Sequence, residues 1–285
     1  MIRYRKQFGW TGVDVPIIGQ GTWMIDGDSE VESRALQTLR LGLDLGMNHI
    51  DTAEMYGEGH VEELVGEAIA GRRDEIFLVS KVFPSNASYD GTLKACERSL
   101  KRLKTDWLDL YLLHWRGSYP LSETMRAMEK LVAEGLVKYI GVSNFDVEDL
   151  VEAEQVLQTE QIACNQVLYN LRDRGIEPRL LPYCSKKRIA VVGYAPFGHG
   201  NFPSPSSREG KLLIEIGRRH NRTPKQVALT YLTRHPSTFT IPKTTRLERV
   251  KENSGGVGWQ LTEDEVNMID RAFPVPPPGT PLGVI

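Results

Sequence analysis

Cysteine is scarce: three residues in 285, Cys96, Cys164 and Cys184, far apart and odd in number. None belongs to a C-x-x-C pair, so neither a disulfide framework nor a zinc knuckle is expected, and a reducing cytosol suits the chain best. Long apolar runs are missing too. The segment "MIRYRKQFGW" is basic without an apolar core, and no stretch approaches the roughly 18 residues of a membrane span. Net charge is small: 35 basic against 37 acidic residues leave −2. That removes any general attraction to nucleic acid or anionic membranes, so an anion site has to be local. No linker, composition break or fixed-period repeat divides the chain, and residues 1–285 read as one domain.

What the sequence does contain is alternation. Short apolar runs rich in β-formers recur: "VPIIGQGTW", "HIDTA", "IFLVSKV", "LDLYLLH", "YIGVSNF", "ACNQVLY", "AVVGYAPF" and "TFTIPKT". Between them lie segments of helical period, such as residues 30–46, 61–71 and 121–135, closed by Gly46, Gly71 and Gly135. Continuous apolar strands alternating with amphipathic helices imply parallel strands buried on both faces. About eight such units predict an α/β fold of the (β/α)8 TIM-barrel type. "FGWTGVDV" before the first barrel strand predicts a hairpin plugging the barrel floor, and two helices exceed the eightfold repeat. A doubly wound Rossmann sheet competes, but "GQGTWM" offers Gly19 and Gly21 without the third glycine of that fingerprint. "FPVPPPGTPLG" predicts an irregular tail over one face.

"HIDTAEMYGEGH", residues 49–60, gathers His49, Asp51, Glu54, Glu58 and His60 around Tyr56. The five suggest a divalent metal, whereas Asp51 and Tyr56 alone suggest metal-free proton transfer. Barrel chemistry lies where strands end. Three consecutive ends carry Asp51 with Tyr56 in its loop, then Lys81, then His114. A lysine in the buried-looking strand "IFLVSKV" needs a carboxylate, and Asp51 is available. A free tyrosine, with a pKa of about 10, is a weak acid at neutral pH, and a neighbouring ammonium would lower that value. His114, kept neutral, would donate a hydrogen bond to a carbonyl oxygen. The set predicts carbonyl reduction, with hydride from elsewhere.

With "SKV", "LDLYLLHW", "NQVLYN", "GYAPFG" and "IPKTTRLERVKEN" in order, the chain resembles an aldo-keto reductase along nearly its whole length. The resemblance implies NADPH/NADP+ as cofactor, no metal, and the tetrad Asp51, Tyr56, Lys81 and His114 with Tyr56 as general acid/base. It further implies that Ser143, Asn144 and Gln166 hold the nicotinamide carboxamide and that Tyr194 stacks on its ring. Gly21, Thr22 and Trp23, the run Ala195, Pro196, Phe197 and Gly198, and Ile241 would complete the groove. Lys243, Thr244 and Arg249 match contacts to a 2′-phosphate, while Glu252 and Asn253 match positions near adenine. Thr245 and Glu248 read as a capping box for the helix that follows. Thr223 and Pro224 read as N-cap and first position of another. The glycine- and proline-rich "FGHGNFPSPSSREGKL" resembles the loop that folds over the cofactor pyrophosphate.

The sequence departs from the family in "VLYN" after the Asn-Gln pair and in its short C-terminal tail. Trp23 and Trp115, with Phe83, Tyr56 and His114, would then form the substrate pocket, open to aldehydes and ketones with apolar or aromatic substituents. Two other classes stay open: a non-catalytic dinucleotide-sensing subunit of the same fold, and a metal-dependent barrel hydrolase. The second lacks a His-x-His pair on the first strand, and Glu58 and Glu62 read mostly as helix-dipole partners. A small-molecule carbonyl partner, a cytoplasmic location, and a monomer or weak homo-oligomer are expected.

Overall fold

The computed structural model of the chain describes residues 4–285. Two short antiparallel strands come first, β1 (Arg5–Gln7) and β2 (Asp14–Pro16). Eight parallel strands follow: β3 (Gln20–Gly21), β4 (His49–Asp51), β5 (Phe77–Val82), β6 (Leu108–Leu113), β7 (Val137–Ser143), β8 (Ile162–Leu168), β9 (Ala190–Tyr194) and β10 (Thr238–Thr240), each beside its neighbour in sequence. Parallel bridges Ile18–Thr240 and Gly21–Lys243 join first to last and close the barrel.

Helices α1 (Ser29–Asp44), α2 (His60–Ala68), α3 (Tyr89–Leu103), α4 (Leu121–Ala133), α5 (Val147–Val156) and α6 (Leu180–Lys187) connect successive strands. Past β9 come α7 (Arg208–Arg219) and α8 (Pro224–Leu232), and past β10 come α9 (Leu247–Ser254) and α10 (Glu263–Ala272). The two helices beyond the repeat are α7 and α10, which pack on each other. Gly46, Gly71 and Gly135 follow their helices at φ +82°, +76° and +76°, where a side chain would be strained. Thr223 and Gln226 form the capping box of α8, with Pro224 at its first position.

Strand parity decides which residues reach the interior. Every residue of β5 and β6 is buried, as parallel strands covered on both faces require. Phe77 and Val79 belong to the core inside the barrel, Leu78 and Val82 to the core beneath the helices. Lys81, in phase with Phe77 and Val79, therefore enters the barrel, while Ser80 turns to the helices.

The hairpin differs from its expected boundaries. Its strands flank residues 8–13 rather than lying within "FGWTGVDV", because Gly9 and Gly12 sit at φ +60° and +74°. A Cβ on Gly9 would lie 2.6 Å from the Arg188 carbonyl oxygen. That close turn drives Phe8 into the barrel floor, fully buried, with ring centroids 4.8 Å from Phe77 and 5.0 Å from Phe239.

Candidate active site

The carboxyl ends of the strands surround a cavity of about 360 Å³. Asp51, the last residue of β4, and Lys81 on β5 form a buried ion pair, Nζ to Oδ1 2.6 Å. Lys81 Nζ also donates to the Thr52 carbonyl oxygen at 2.8 Å, and the second Asp51 oxygen accepts from Gln166 Nε2 at 2.7 Å. The Tyr56 ring lies over the ammonium, 5.1 Å from Nζ to its centroid. His114 crosses it edge-on, with ring centroids 5.7 Å apart. The chain turns sharply after Tyr56, with Gly57, Glu58 and Gly59 all at positive φ.

Electrostatics assign protonation states. Burial favours the neutral form of Lys81, but Asp51 and Tyr56 outweigh it and hold the pKa above the usual lysine value. Burial, then the Lys81 charge, keep His114 well below the usual imidazole range, so its ring is neutral. Tyr56 departs from the expectation of a lowered pKa: burial raises it, Lys81 pulls it back without winning, and Asp51 opposes Lys81. At neutral pH the phenol keeps its proton.

Most of the expected cofactor residues border the same cavity: Gly21, Thr22, Trp23, Ser143, Asn144, Gln166, Tyr194, Ala195, Pro196, Phe197, Ile241 and Lys243. Asn144 joins Ser143 Oγ at 3.2 Å and receives the Tyr194 hydroxyl at 2.8 Å, a network spanning β7 and β9. Ala195 (φ +49°), Gly198 (φ +67°), His199 (φ +47°) and Gly200 (φ +91°) bend the chain after β9. His199 stacks on Trp23 at 5.1 Å across the cavity. Thr244 and Asn253 line a smaller crevice that shares Gly21, and the buried Asn253 Oδ1 has no partner among the described residues. Arg249 pairs with Glu252.

Other expected residues lie outside the main cavity, and the expected α9 cap needs correction. Gly198, Arg249 and Glu252 do not border the main cavity, and neither does Phe83, which instead packs edge-on against Trp115 at 5.1 Å. No Thr245–Glu248 capping box forms: Arg246 is the N-cap of α9 and its side chain takes Glu248, while Thr244 Oγ1 accepts from the Arg246 amide. Glu62 does lie in the first turn of α2, and it is also a fully buried carboxylate bonded to Ser80 Oγ at 2.5 Å and Arg102 Nε at 2.7 Å.

The apparent metal cluster disperses. His49 is buried among Phe8 and Phe77, whereas His60 lies at the surface with Glu32 and Glu63. Among the described residues no group of three or more His, Cys, Asp or Glu could hold a metal ion, and no helix could cross a membrane.

Residues missed from the sequence complete the mouth: Met24, Met55 and Ile285 border the cavity. Met24, at φ +58°, directly follows Trp23, and Met55 precedes Tyr56; adjacency to those landmarks was the available signal. Ile285 had none, since irregular tails carry no periodicity.

A closed barrel with an ion pair, a tyrosine and a neutral histidine at its carboxyl-end mouth is the frame of a TIM-barrel enzyme. The chain belongs to the Aldo/keto reductase family, whose match covers residues 17–273. It is 42% identical over 282 residues to methylglyoxal reductase YeaE of Escherichia coli, covering 99% of each chain. Glyoxal reductase of Bacillus subtilis is 33% identical over 264 residues, covering 91% of this chain and 89% of its own. An aldo-keto reductase of Klebsiella pneumoniae, solved in complex with NADPH, superposes with a TM-score of 0.94 at 41% identity over all of both chains.

Proposed function

We propose that this protein reduces aldehydes and ketones to alcohols with NADPH, with Tyr56 as proton donor, and that small α-dicarbonyls are among its substrates. The observation that carries this reading is the buried Asp51–Lys81 pair beneath a protonated Tyr56, with neutral His114 beside it. Relatives named as methylglyoxal and glyoxal reductases support the substrate class.

The chain's residues fit a nicotinamide dinucleotide. Gln166 spends its Nε2 on Asp51, leaving Oε1 for a carboxamide, and Ser143 and Asn144 add polar groups at the same place. Gly21 packs closely on the chain after β10, where a Cβ would lie 2.7 Å from the Ile241 carbonyl oxygen, and so brings Ile241 and Lys243 to the same edge of the cavity. Lys243, Thr244 and Arg249 beside the uncapped start of α9 would hold a phosphate, and the unpartnered Asn253 would serve adenine. When bound, NADPH supplies the hydride.

Tyr56 donates its proton to the carbonyl oxygen as that oxygen gains charge. The tyrosinate left behind lies over the Lys81 ammonium, whose charge Asp51 maintains. This stabilisation grows only as the proton leaves, so it acts on the transition state rather than on bound substrate. His114 hydrogen-bonds the same oxygen and sets its direction. Trp23, Met24, Met55 and Trp115 supply apolar walls that favour compact, uncharged substrates. Three buried free thiols are compatible with a cytosolic location.

The test is NADPH oxidation with methylglyoxal and a panel of aldehydes, with and without EDTA, for wild type and Tyr56→Phe. Turnover that survives EDTA and disappears in Tyr56→Phe is expected. Loss on chelation would overturn the reading, and NADPH binding without turnover of any carbonyl would replace it with a sensor.

A further inference from the structure

Glu54 stands two residues before Tyr56. After β4 ends at Asp51, the main chain keeps pairing with β5: Thr52 N donates to Val79 O at 2.9 Å, and Glu54 N to Lys81 O at 3.4 Å. In a parallel ladder, a residue whose N–H binds one partner residue accepts, through its own carbonyl, the N–H two positions further along that partner. Glu54 should therefore accept from Phe83 N through its main-chain oxygen. Instead Phe83 N donates to Glu54 Oε1 at 2.7 Å, with Asn86 Nδ2 on the same oxygen at 3.0 Å. The side chain stands in for its own carbonyl.

This substitution frees the main chain to leave the sheet. Tyr56 N turns back to Ala53 O at 3.1 Å, and the left-handed run at residues 57–59 begins. The loop bearing the tyrosine departs while remaining tied to β5 on both sides of Val82, one residue beyond Lys81. Glu54 is 8% exposed, an expensive place for a carboxylate that serves no purpose. Arg98, at 3.3 Å from its other oxygen, is half exposed and gives only a partial counter-charge.

We propose that Glu54 is a positioning residue for proton transfer: by completing the β4–β5 ladder with its carboxylate, it fixes the Tyr56 ring over Lys81. The proposal rests on the function given above. Its specific content is that the acceptor oxygen matters and the charge does not. Removing the acceptor loosens Tyr56 from Lys81, weakens the pull of the ammonium on the phenol and makes Tyr56 a weaker acid.

Glu54→Gln retains an acceptor oxygen without charge; Glu54→Leu removes it at similar size. For each, kcat and KM with methylglyoxal, NADPH Kd by fluorescence quenching, the alkaline limb of kcat against pH, and the Tyr56 phenol titration by ultraviolet difference against Tyr56→Phe are measured. Glu54→Leu is expected to lose about 10- to 100-fold in kcat, the scale of a small misplacement at a reacting group. Its NADPH Kd stays within about twofold while the alkaline limb and the phenol titration move to higher pH. Glu54→Gln stays within about threefold of wild-type kcat, with neither titration moved.

A Glu54→Leu protein that binds NADPH normally and keeps kcat within about twofold overturns the proposal. So does a Glu54→Gln protein as impaired as Glu54→Leu, which would assign the role to charge. If Glu54→Leu does not fold, Phe83→Pro against Phe83→Ala makes the same test from the donor side. Proline suits the φ of −74° at Phe83 and deletes the N–H that Glu54 accepts. A lower kcat and a shifted alkaline limb in Phe83→Pro relative to Phe83→Ala support the proposal, and equal values overturn it. Absence of turnover in wild type, or an unchanged rate in Tyr56→Phe, would instead overturn the function itself.

Discussion

The two walls of the cavity are built on different principles. At β4 to β6 the groups are buried, charged and bonded within the protein: Asp51 has Lys81 and Gln166, and Lys81 has Asp51 and Thr52. On the other side, past β10, Lys243 borders the cavity at the surface, and behind it Arg246 and Arg249 at the start of α9 are held by neighbouring acids on their own helix. The first wall is held by its own buried bonds; the second keeps its charges in local pairs that an anion can displace. A proton-transfer site needs fixed distances, because catalysis falls steeply with misplacement. A phosphate grip tolerates adjustment, since charge acts over a longer range.

Breaking the organised wall should therefore cost most. Tyr56→Phe removes the donor while leaving the cavity's shape, and kcat for carbonyl reduction is expected to fall by at least about 100- to 10,000-fold with NADPH Kd nearly unchanged. Steady-state kinetics beside a fluorescence titration check it; a Tyr56→Phe rate within tenfold of wild type would assign the proton to another group.

Second comes the ion pair. Lys81→Met strands the Asp51 carboxylate, and loss of one partner of a buried pair costs about 3–5 kcal/mol of stability. Urea unfolding should show most of that loss recovered in Lys81→Met with Asp51→Leu, while activity stays absent. Equal stability of single and double variants would mean that the carboxylate is satisfied by Gln166 and water, and that the wall is less tightly coupled than the distances suggest.

The other wall should respond more gently. Arg249→Ala or Lys243→Ala is expected to weaken NADPH binding about tenfold, one charge-assisted contact, and NADH binding by less than about twofold, with kcat at saturating cofactor unchanged. Comparing Kd for the two cofactors reads this directly. An equal loss for both would remove these residues from the phosphate and leave them on the surface of α9.

The same division governs how much the sequence revealed. The barrel was legible because parallel strands buried on both faces leave continuous apolar runs, and Asp51, Lys81 and His114 were legible because they interrupt such runs at their ends. Their mutual contact had to be inferred from the need of a buried lysine for an acid. The sequence offered Glu54 as a metal-ligand candidate and Glu62 as a helix-dipole partner, but not their buried bonds, because Phe83 N and Ser80 lie about thirty and twenty residues away and leave no local mark. The α9 cap failed for the opposite reason: a local motif was present, but Arg246 took Glu248 first. Met24 and Ile285 lie on irregular chain, where neither period nor motif announces a cavity wall.

The smallest expected effect concerns His49, one layer below Asp51 on the inner face of β4. Both its ring nitrogens are buried beside Phe8 and Phe77, without partners among the described residues. Burial, and after it the Lys81 charge, bring its pKa down to about 3. In the unfolded chain a histidine titrates at about 6.5. The contribution of neutral His49 is thus fully present above about pH 6.5 and is lost as pH falls toward 3, because only the unfolded chain takes up the proton. The slope is about 1.4 kcal/mol per pH unit for one proton. Between pH 6 and 5, where carboxylates change little, wild type should lose about 1 kcal/mol more stability than His49→Leu in urea unfolding. Parallel losses would show that His49 protonates within the folded barrel. The organised wall would then extend only as far down as Asp51, with the floor free to take a second positive charge beneath Lys81.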